Sequence, residues 1–175
     1  MSLPSGPEAA IRIEKVMRAS PARVFRGFLD AELMRQWIVP DDLTIDSISV
    51  EPRVGGLIEV YHSRDGVRTG RFEGRYVKID PPRELVYRWA FVGTEPEKGE
   101  YYDTLVTVQF RAVRSGRTHL TVIHEKLAGL REGAPEIYPR LGPGWENCLD
   151  KLERSVILGG PWEPSGASRD HRGEV

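Results

Sequence analysis

His124 is the side chain in this sequence best suited to exchanging a proton or bonding a polar ligand. It follows Leu120 and Val122 in the strand-like stretch LTVIHEK, so that an imidazole ends an apolar row. An imidazole titrates near neutral pH and can both donate and accept hydrogen bonds. Two interpretations stay open: the strand end reaches solvent, or His124 is a polar group at a ligand pocket.

An aromatic row occupies the stretch LVYRWAF. Alternation along a strand places Leu85, Tyr87, Trp89 and Phe91 on one face. Such a row is ordinary core in many proteins, but buried Tyr and Trp side chains need partners for their polar atoms, which suits a cavity wall. Tyr87 and Trp89 are therefore candidate ligand contacts.

Arg75 is a candidate for binding an anionic ligand group, because the planar guanidinium fork matches a carboxylate. It shares a strand face with Arg71, and Glu73 lies between them in the sequence. The alternative is a solvated face on which the arginines balance Glu59 and Glu73 across neighbouring strands.

A helix is predicted over residues 143–158, because Gly142-Pro143 precedes an amphipathic pattern and Gly159-Gly160-Pro161 ends it. Trp145 lies in its first turn, and we expect it to line one end of a cavity. Cys148 is expected to be a buried, inert thiol. Deeper residues on the same face are expected to pack as dry core: Leu149, Leu152 and Val156.

Familiar catalytic signatures are missing from the sequence. It has no Gly-x-Ser-x-Gly elbow, His-Glu-x-x-His helix, Walker loop or Gly-x-Gly-x-x-Gly turn. The four histidines (62, 119, 124 and 171) do not show metal-ligand spacing. No catalytic residue, metal ligand or cofactor is therefore assigned, and whether the protein is an enzyme stays open.

The elements that would position these side chains follow from periodicity. Ser20-Pro21 and Asp30 are helix starts, and Asp65-Gly66 is a hairpin turn. Residues 128–141 form a polar, proline-bearing connection to the long helix. Strand patterns cover 10–18, 43–62 with a Gly-Gly interruption, 68–79, 83–91, 104–113 and 118–127.

The order of these elements predicts an α+β fold. Consecutive strands joined by tight turns form an antiparallel sheet, and one long amphipathic helix must bury its face against it. We expect a curved sheet of about six to seven strands wrapped around the C-terminal helix, with two short helices after the first strand. Residues 9–158 are predicted to form one domain, and 1–8 and 159–175 loose termini.

Several stretches resemble the bacterial family related to the C-terminal domain of the activator of the Hsp90 ATPase. The resemblance runs from about residue 10 to 158. Its most specific pieces are Arg-x-Gly-Gly at 53–56, Asp-Pro-Pro-Arg-x-Leu at 80–85, and the Gly-Trp that opens the last helix. That family belongs to the START-like superfamily, which has the helix-grip fold.

The resemblance implies an internal cavity between sheet and helix. Where family members often show two tryptophans and Gly-Pro, this chain has Trp37-Ile38 and Val39-Pro40. Since that segment tends to line the pocket entrance in the superfamily, the resemblance adds Trp37 to the site and implies a changed ligand preference. The expected ligand-binding set is Trp37, Arg75, Tyr87, Trp89, His124 and Trp145.

Three functions are compatible with this resemblance. The leading one is a protein that encloses a small apolar or amphipathic ligand. The first alternative is an enzyme like the polyketide cyclases and aromatases, with His124, Tyr87 and Arg75 as acid–base or electrostatic groups. The second is a module that interacts with a chaperone or regulator through its outer surface.

Composition excludes other classes of protein. A net charge of −1 gives no basic excess to neutralise a phosphate chain, so nucleic acid is not expected as a partner. No apolar run approaches the roughly 20 residues that span a bilayer, so membrane insertion is not expected. A single cysteine and the lack of a signal-peptide pattern predict a cytoplasmic protein. A homodimer stays open.

Overall fold

The structure is a computed structural model that describes residues 10–158. The two termini predicted to be loose, residues 1–8 and 159–175, lie outside the described residues. One antiparallel sheet contains seven strands in the order β1-β7-β6-β5-β4-β3-β2. The strands are β1 Ile11–Met17, β2 Thr44–Val50, β3 Leu57–Arg64, β4 Val67–Asp80, β5 Glu84–Val92, β6 Tyr101–Val113 and β7 Arg117–Glu125.

Four α-helices within residues 10–158 accompany the sheet: α1 Pro21–Arg26, α2 Ala31–Met34, α3 Ala128–Gly133 and α4 Leu141–Leu158. The Ser20 hydroxyl accepts a hydrogen bond from the backbone N–H of Arg23, and Asp30 caps α2 in the same way. These caps stabilise helices that are too short to persist alone. The predicted helix-grip, α+β fold is confirmed, and α4 begins two residues before the predicted start.

The core fills the space between the concave face of the sheet and α4. Leu149, Leu152 and Val156 of α4 are buried there, as expected for its apolar face. Leu152 packs so closely on α1 that a Cβ on Gly27 would lie 2.5 Å from its Cδ1. The C-terminal part of α4 therefore packs on dry core. Among the described residues, no helix is both long and apolar enough to cross a membrane.

The expectation that residues 128–141 only connect β7 to the long helix was wrong. Helix α3 lies in this segment and buries Leu130 in a second apolar cluster, beside Leu127, Ala134 and Leu141. The Tyr102 hydroxyl donates a hydrogen bond to the Gly133 carbonyl at 3.1 Å and ties α3 to β6. A helix of six residues that contains two glycines has too few apolar positions to show a helical period, so tertiary packing determines it.

Candidate functional site

A pocket of about 1030 Å³ lies between one end of the sheet and the first turns of α4. Two connections complete its wall: residues 37–43, which link α2 to β2, and residues 133–141, which link α3 to α4. Long inward-facing side chains on β3, β4, β5 and β7 form the floor. The pocket therefore lies at the N-terminal end of α4, between helix and sheet. The dry core fills the same space towards the C-terminal end of the helix.

Aromatic rings pave the pocket floor. The Phe72 ring lies 5.2 Å from Trp89 and 5.4 Å from Phe91, centroid to centroid, and Tyr87 lies 5.7 Å from Trp89. The indole of Trp89 lies over Gly74, where a Cβ would come within 2.9 Å of it. The glycine in β4 thus makes room for the ring, and the aromatic row predicted on β5 faces the pocket from Tyr87 to Phe91.

His124 lines the pocket but is only 1% exposed, so its strand end does not reach solvent. Its Nδ1 accepts a hydrogen bond from the indole Nε1–H of Trp145 at 3.1 Å. That leaves the ring proton on Nε2, which donates to Thr104 Oγ1 at 2.7 Å. The Thr104 hydroxyl in turn donates to the Trp89 carbonyl. Both imidazole nitrogens are therefore occupied within the protein.

This hydrogen-bonded chain joins the start of α4 to three adjacent strands. Burial lowers the pKa of His124 to about 3, because a charged imidazole would lose its hydration there. The ring is neutral at physiological pH and acts as a fixed acceptor for Trp145. Trp145 itself is half-buried on the pocket wall, and the next helical turn adds Cys148.

Tyr87 carries a free polar group in the pocket. Its side chain is 3% exposed, yet its hydroxyl makes no hydrogen bond with any described residue. The hydroxyl oxygen is also not completely shielded by neighbouring protein atoms. The hydroxyl is therefore open to the pocket space. Burial raises the pKa of Tyr87 well above its usual value, so the phenol stays protonated and can donate or accept. The neighbouring Cys148 thiol also stays protonated, because burial raises its pKa to about 12.

Trp37 and Arg75, two further residues expected in the site, occupy different places. Trp37 lines the pocket but is fully buried, and its Nε1–H donates to the Gly27 carbonyl at 2.9 Å. Arg75 is exposed on β4, does not line the pocket, and donates from Nη1 to the Gly55 carbonyl at 2.6 Å. Arg75 points away because alternation puts it on the face opposite its buried neighbours Gly74 and Tyr76.

His62 was missed by the sequence analysis. It lines the pocket on β3, is 7% exposed, and lies 4.6 Å from the Phe72 ring, centroid to centroid. Its sequence pattern is the same as that of His124, a histidine at the end of an alternating apolar row. Here Ile58 and Val60 precede it on the inward face of the strand. The same alternation rule, applied to β3, would have found it.

Charged side chains stand at the rim of the pocket and pair with one another. Arg64 contacts Asp42 at 2.8 Å, and Lys151 contacts Asp41 at 3.1 Å. The Asn147 side chain also bonds Asp41, so α4 is tied to the connection before β2. Within residues 10–158, no three His, Cys, Asp or Glu side chains converge as metal ligands would.

A family model decides which family this fold and pocket belong to. The model described as "Activator of Hsp90 ATPase homolog 1-like protein" matches residues 18–156. The chain belongs to this family. The resemblance drawn from Arg-x-Gly-Gly, Asp-Pro-Pro-Arg and Gly-Trp is thereby confirmed, and with it the START-like relationship. No match is found among curated proteins.

Solved structures similar to this chain share its fold. Protein NE0264 from Nitrosomonas europaea superposes with a TM-score of 0.68 at 17% identity, over 86% of this chain and 95% of the other. Protein CV1439 from Chromobacterium violaceum gives 0.65 at 24%, over 83% and 95%. Protein SA2116 from Staphylococcus aureus, described as of unknown function, gives 0.66 at 16%, over 87% and 95%.

Proposed function

We propose that this protein binds a small apolar or amphipathic molecule in the pocket between the sheet and α4. The observation that carries the proposal is the pocket itself, about 1030 Å³ in volume with a floor of aromatic rings. Small-molecule sites in proteins enclose about 300–1,000 Å³ and are mostly apolar with a few placed polar groups.

The directional hydrogen bond to the ligand is assigned to Tyr87 rather than to His124. A sealed imidazole whose nitrogens already bond Trp145 and Thr104 has no atom left for a ligand. The Tyr87 hydroxyl has no protein partner among the described residues and faces the pocket. A ligand with a polar atom beside the Tyr87 hydroxyl gains a hydrogen bond that a purely apolar ligand does not. Tyr87 therefore favours ligands that place a polar atom there.

The geometry supports binding over acid–base catalysis at the residues first considered for it. A general acid or base must reach the proton that it moves, and it works best with a pKa near the working pH. His124 has a pKa of about 3 and both nitrogens occupied, and Arg75 lies outside the pocket. Tyr87 alone of the three presents an open polar atom to the pocket.

A pair of glycine substitutions in α4 tests the proposal. Gly144 lines the pocket and Gly142 does not, and at both positions a Cβ would meet nothing within 4 Å. Gly144→Trp should fill the pocket and lower the affinity for an apolar fluorescent dye at least tenfold, while Gly142→Trp should leave it unchanged. Equal dye affinity in wild type and Gly144→Trp would place binding elsewhere and overturn the proposal.

Native mass spectrometry of freshly purified protein would identify the ligand class directly. A small molecule that co-purifies with wild type and with Gly142→Trp, but not with Gly144→Trp, would be the occupant of the pocket. A module acting only through its outer surface would instead keep its partner when the pocket is filled.

A further inference from the structure

His62 is held in one orientation by an irregularity in the sheet. Between His62 and Ser63 the register of β3 against β4 shifts, so that Thr69 is an extra residue in β4. Such a bulge re-aims the side chain it carries. Thr69 Oγ1 reaches the His62 Nδ1 at 2.6 Å. The next residue must be glycine, because a Cβ on Gly70 would lie 2.1 Å from the Val92 carbonyl oxygen.

The partners of Thr69 bear on which nitrogen of His62 carries the proton. The Thr69 hydroxyl donates its one proton to the His62 backbone carbonyl at 3.3 Å. With that proton on the carbonyl, the Thr69 oxygen accepts from the imidazole at 2.6 Å, and the ring proton is placed on Nδ1. Nε2 is left as an unprotonated acceptor.

That Nε2 atom is open to the pocket. It makes no hydrogen bond with a described residue, and it is not completely shielded by neighbouring protein atoms. The residue as a whole is nevertheless more than nine-tenths buried. Burial lowers the pKa of His62 to about 4, so the ring presents a lone pair rather than a positive charge. Of the two charges that act on this pKa, Arg64 pairs with Asp42, and Asp46 accepts a hydrogen bond from the Ser63 hydroxyl.

We propose that His62 selects the ligand by accepting a hydrogen bond, so that the pocket takes an uncharged aromatic molecule carrying a hydroxyl or N–H donor. This inference rests on the proposed function and adds the chemical class of the ligand. The Phe72 ring, 4.6 Å from the imidazole, provides the aromatic surface beside the acceptor. An ether or a carboxylate oxygen in the same place would set lone pair against lone pair.

Three probes of nearly equal ring area separate the two proposals. Naphthalene, 2-methoxynaphthalene and 2-naphthol differ in having no polar atom, an acceptor only, and a donor. Wild-type protein should bind 2-naphthol about tenfold more tightly than 2-methoxynaphthalene, the ratio expected for one buried hydrogen bond. Failure of all three to bind would reject the pocket function. Equal binding of all three would keep the pocket and reject the role of His62.

His62→Phe removes the acceptor and keeps a ring of similar size. In this variant the preference for 2-naphthol should fall to within about twofold, while naphthalene binding is retained. His119→Phe is the matched control, since His119 lies on β7 outside the pocket and contacts Arg111 and Glu14. A tenfold preference that persists in His62→Phe would refute the assignment.

Nitrogen NMR of the imidazole rings tests the same assignment in the unaltered protein. Addition of 2-naphthol should shift the Nε2 resonance of His62 and leave its Nδ1 with the chemical shift of a protonated nitrogen. Saturating 2-naphthol without a shift at His62 Nε2 would overturn the proposal, whether or not the variant folds.

Discussion

Trp145 and Leu152 lie two helical turns apart on α4, and their replacement distinguishes pocket wall from dry core. Leu152 is fully buried and packs against Gly27 of the α1 segment. Trp145 is half-buried and forms one hydrogen bond, to His124. We predict that Trp145→Leu destabilises the protein less than Leu152→Ala but weakens ligand binding more.

The magnitudes follow from these surroundings. Leu152→Ala leaves a cavity in close-packed core and should cost about 2–5 kcal/mol. Trp145→Leu removes one hydrogen bond, worth about 1 kcal/mol net, and part of a ring that the pocket leaves uncovered. Water from the pocket can then reach His124, so a total of about 1–2 kcal/mol is expected. At roughly 2–4 °C per kcal/mol for a chain of this size, Leu152→Ala should lower the melting temperature further.

Thermal melts and an apolar-dye titration measure both effects. Trp145→Phe is the matched control, because it keeps an aromatic ring, although a smaller one, and removes the indole N–H. It should retain most of the dye affinity that Trp145→Leu loses. The reasoning is refuted if Trp145→Leu proves at least as destabilising as Leu152→Ala and leaves dye binding intact, since Trp145 would then be ordinary core.

Three further outcomes are expected. Folded-state pKa values of about 4 for His62 and about 3 for His124 lie below the ordinary 6.5, so unfolding takes up protons at pH 5 but not above pH 7. Between pH 7 and pH 5 the free energy of unfolding should therefore fall by at most about 2 kcal/mol per histidine, and the melting temperature should fall with it. His62→Phe should flatten this pH profile. Gly74→Ala should cost about 1–3 kcal/mol and weaken dye binding by displacing Trp89, whereas Gly129→Ala, whose Cβ meets nothing, should be neutral or slightly stabilising in a melt. Treatment with a chelator should leave the melting temperature and dye affinity unchanged, and a clear loss of either would reveal a bound metal.

The fold could be predicted because local chemistry and long-range packing agree along most of the chain. Asp65 and Gly66 both adopt the positive φ that a two-residue hairpin turn requires. Ser20 and Asp30 cap the helices that their residue types predict. Helix α3 was not predicted, because its stability comes from contacts with Tyr102 and α4, which are distant in sequence.

The site was harder to predict because alternation gives the face of a residue but not the partners of its polar atoms. It put Tyr87 and Trp89 on one face, which lines the pocket, but it did not show that Arg75 lies outside the pocket. It could not show that Trp145, 21 residues beyond His124, would donate to that imidazole.

His62 and His124 show how the same sequence pattern produces opposite roles. Each ends an inward-facing apolar row on its strand, and each is made neutral by burial. His124 is enclosed by donors and acceptors from α4 and β6, so its polarity stabilises the wall. His62 has one partner, Thr69, supplied by a bulge, and its second nitrogen makes no hydrogen bond with a described residue. A buried polar atom without a protein partner costs stability, and a ligand that supplies a hydrogen bond recovers that cost on binding.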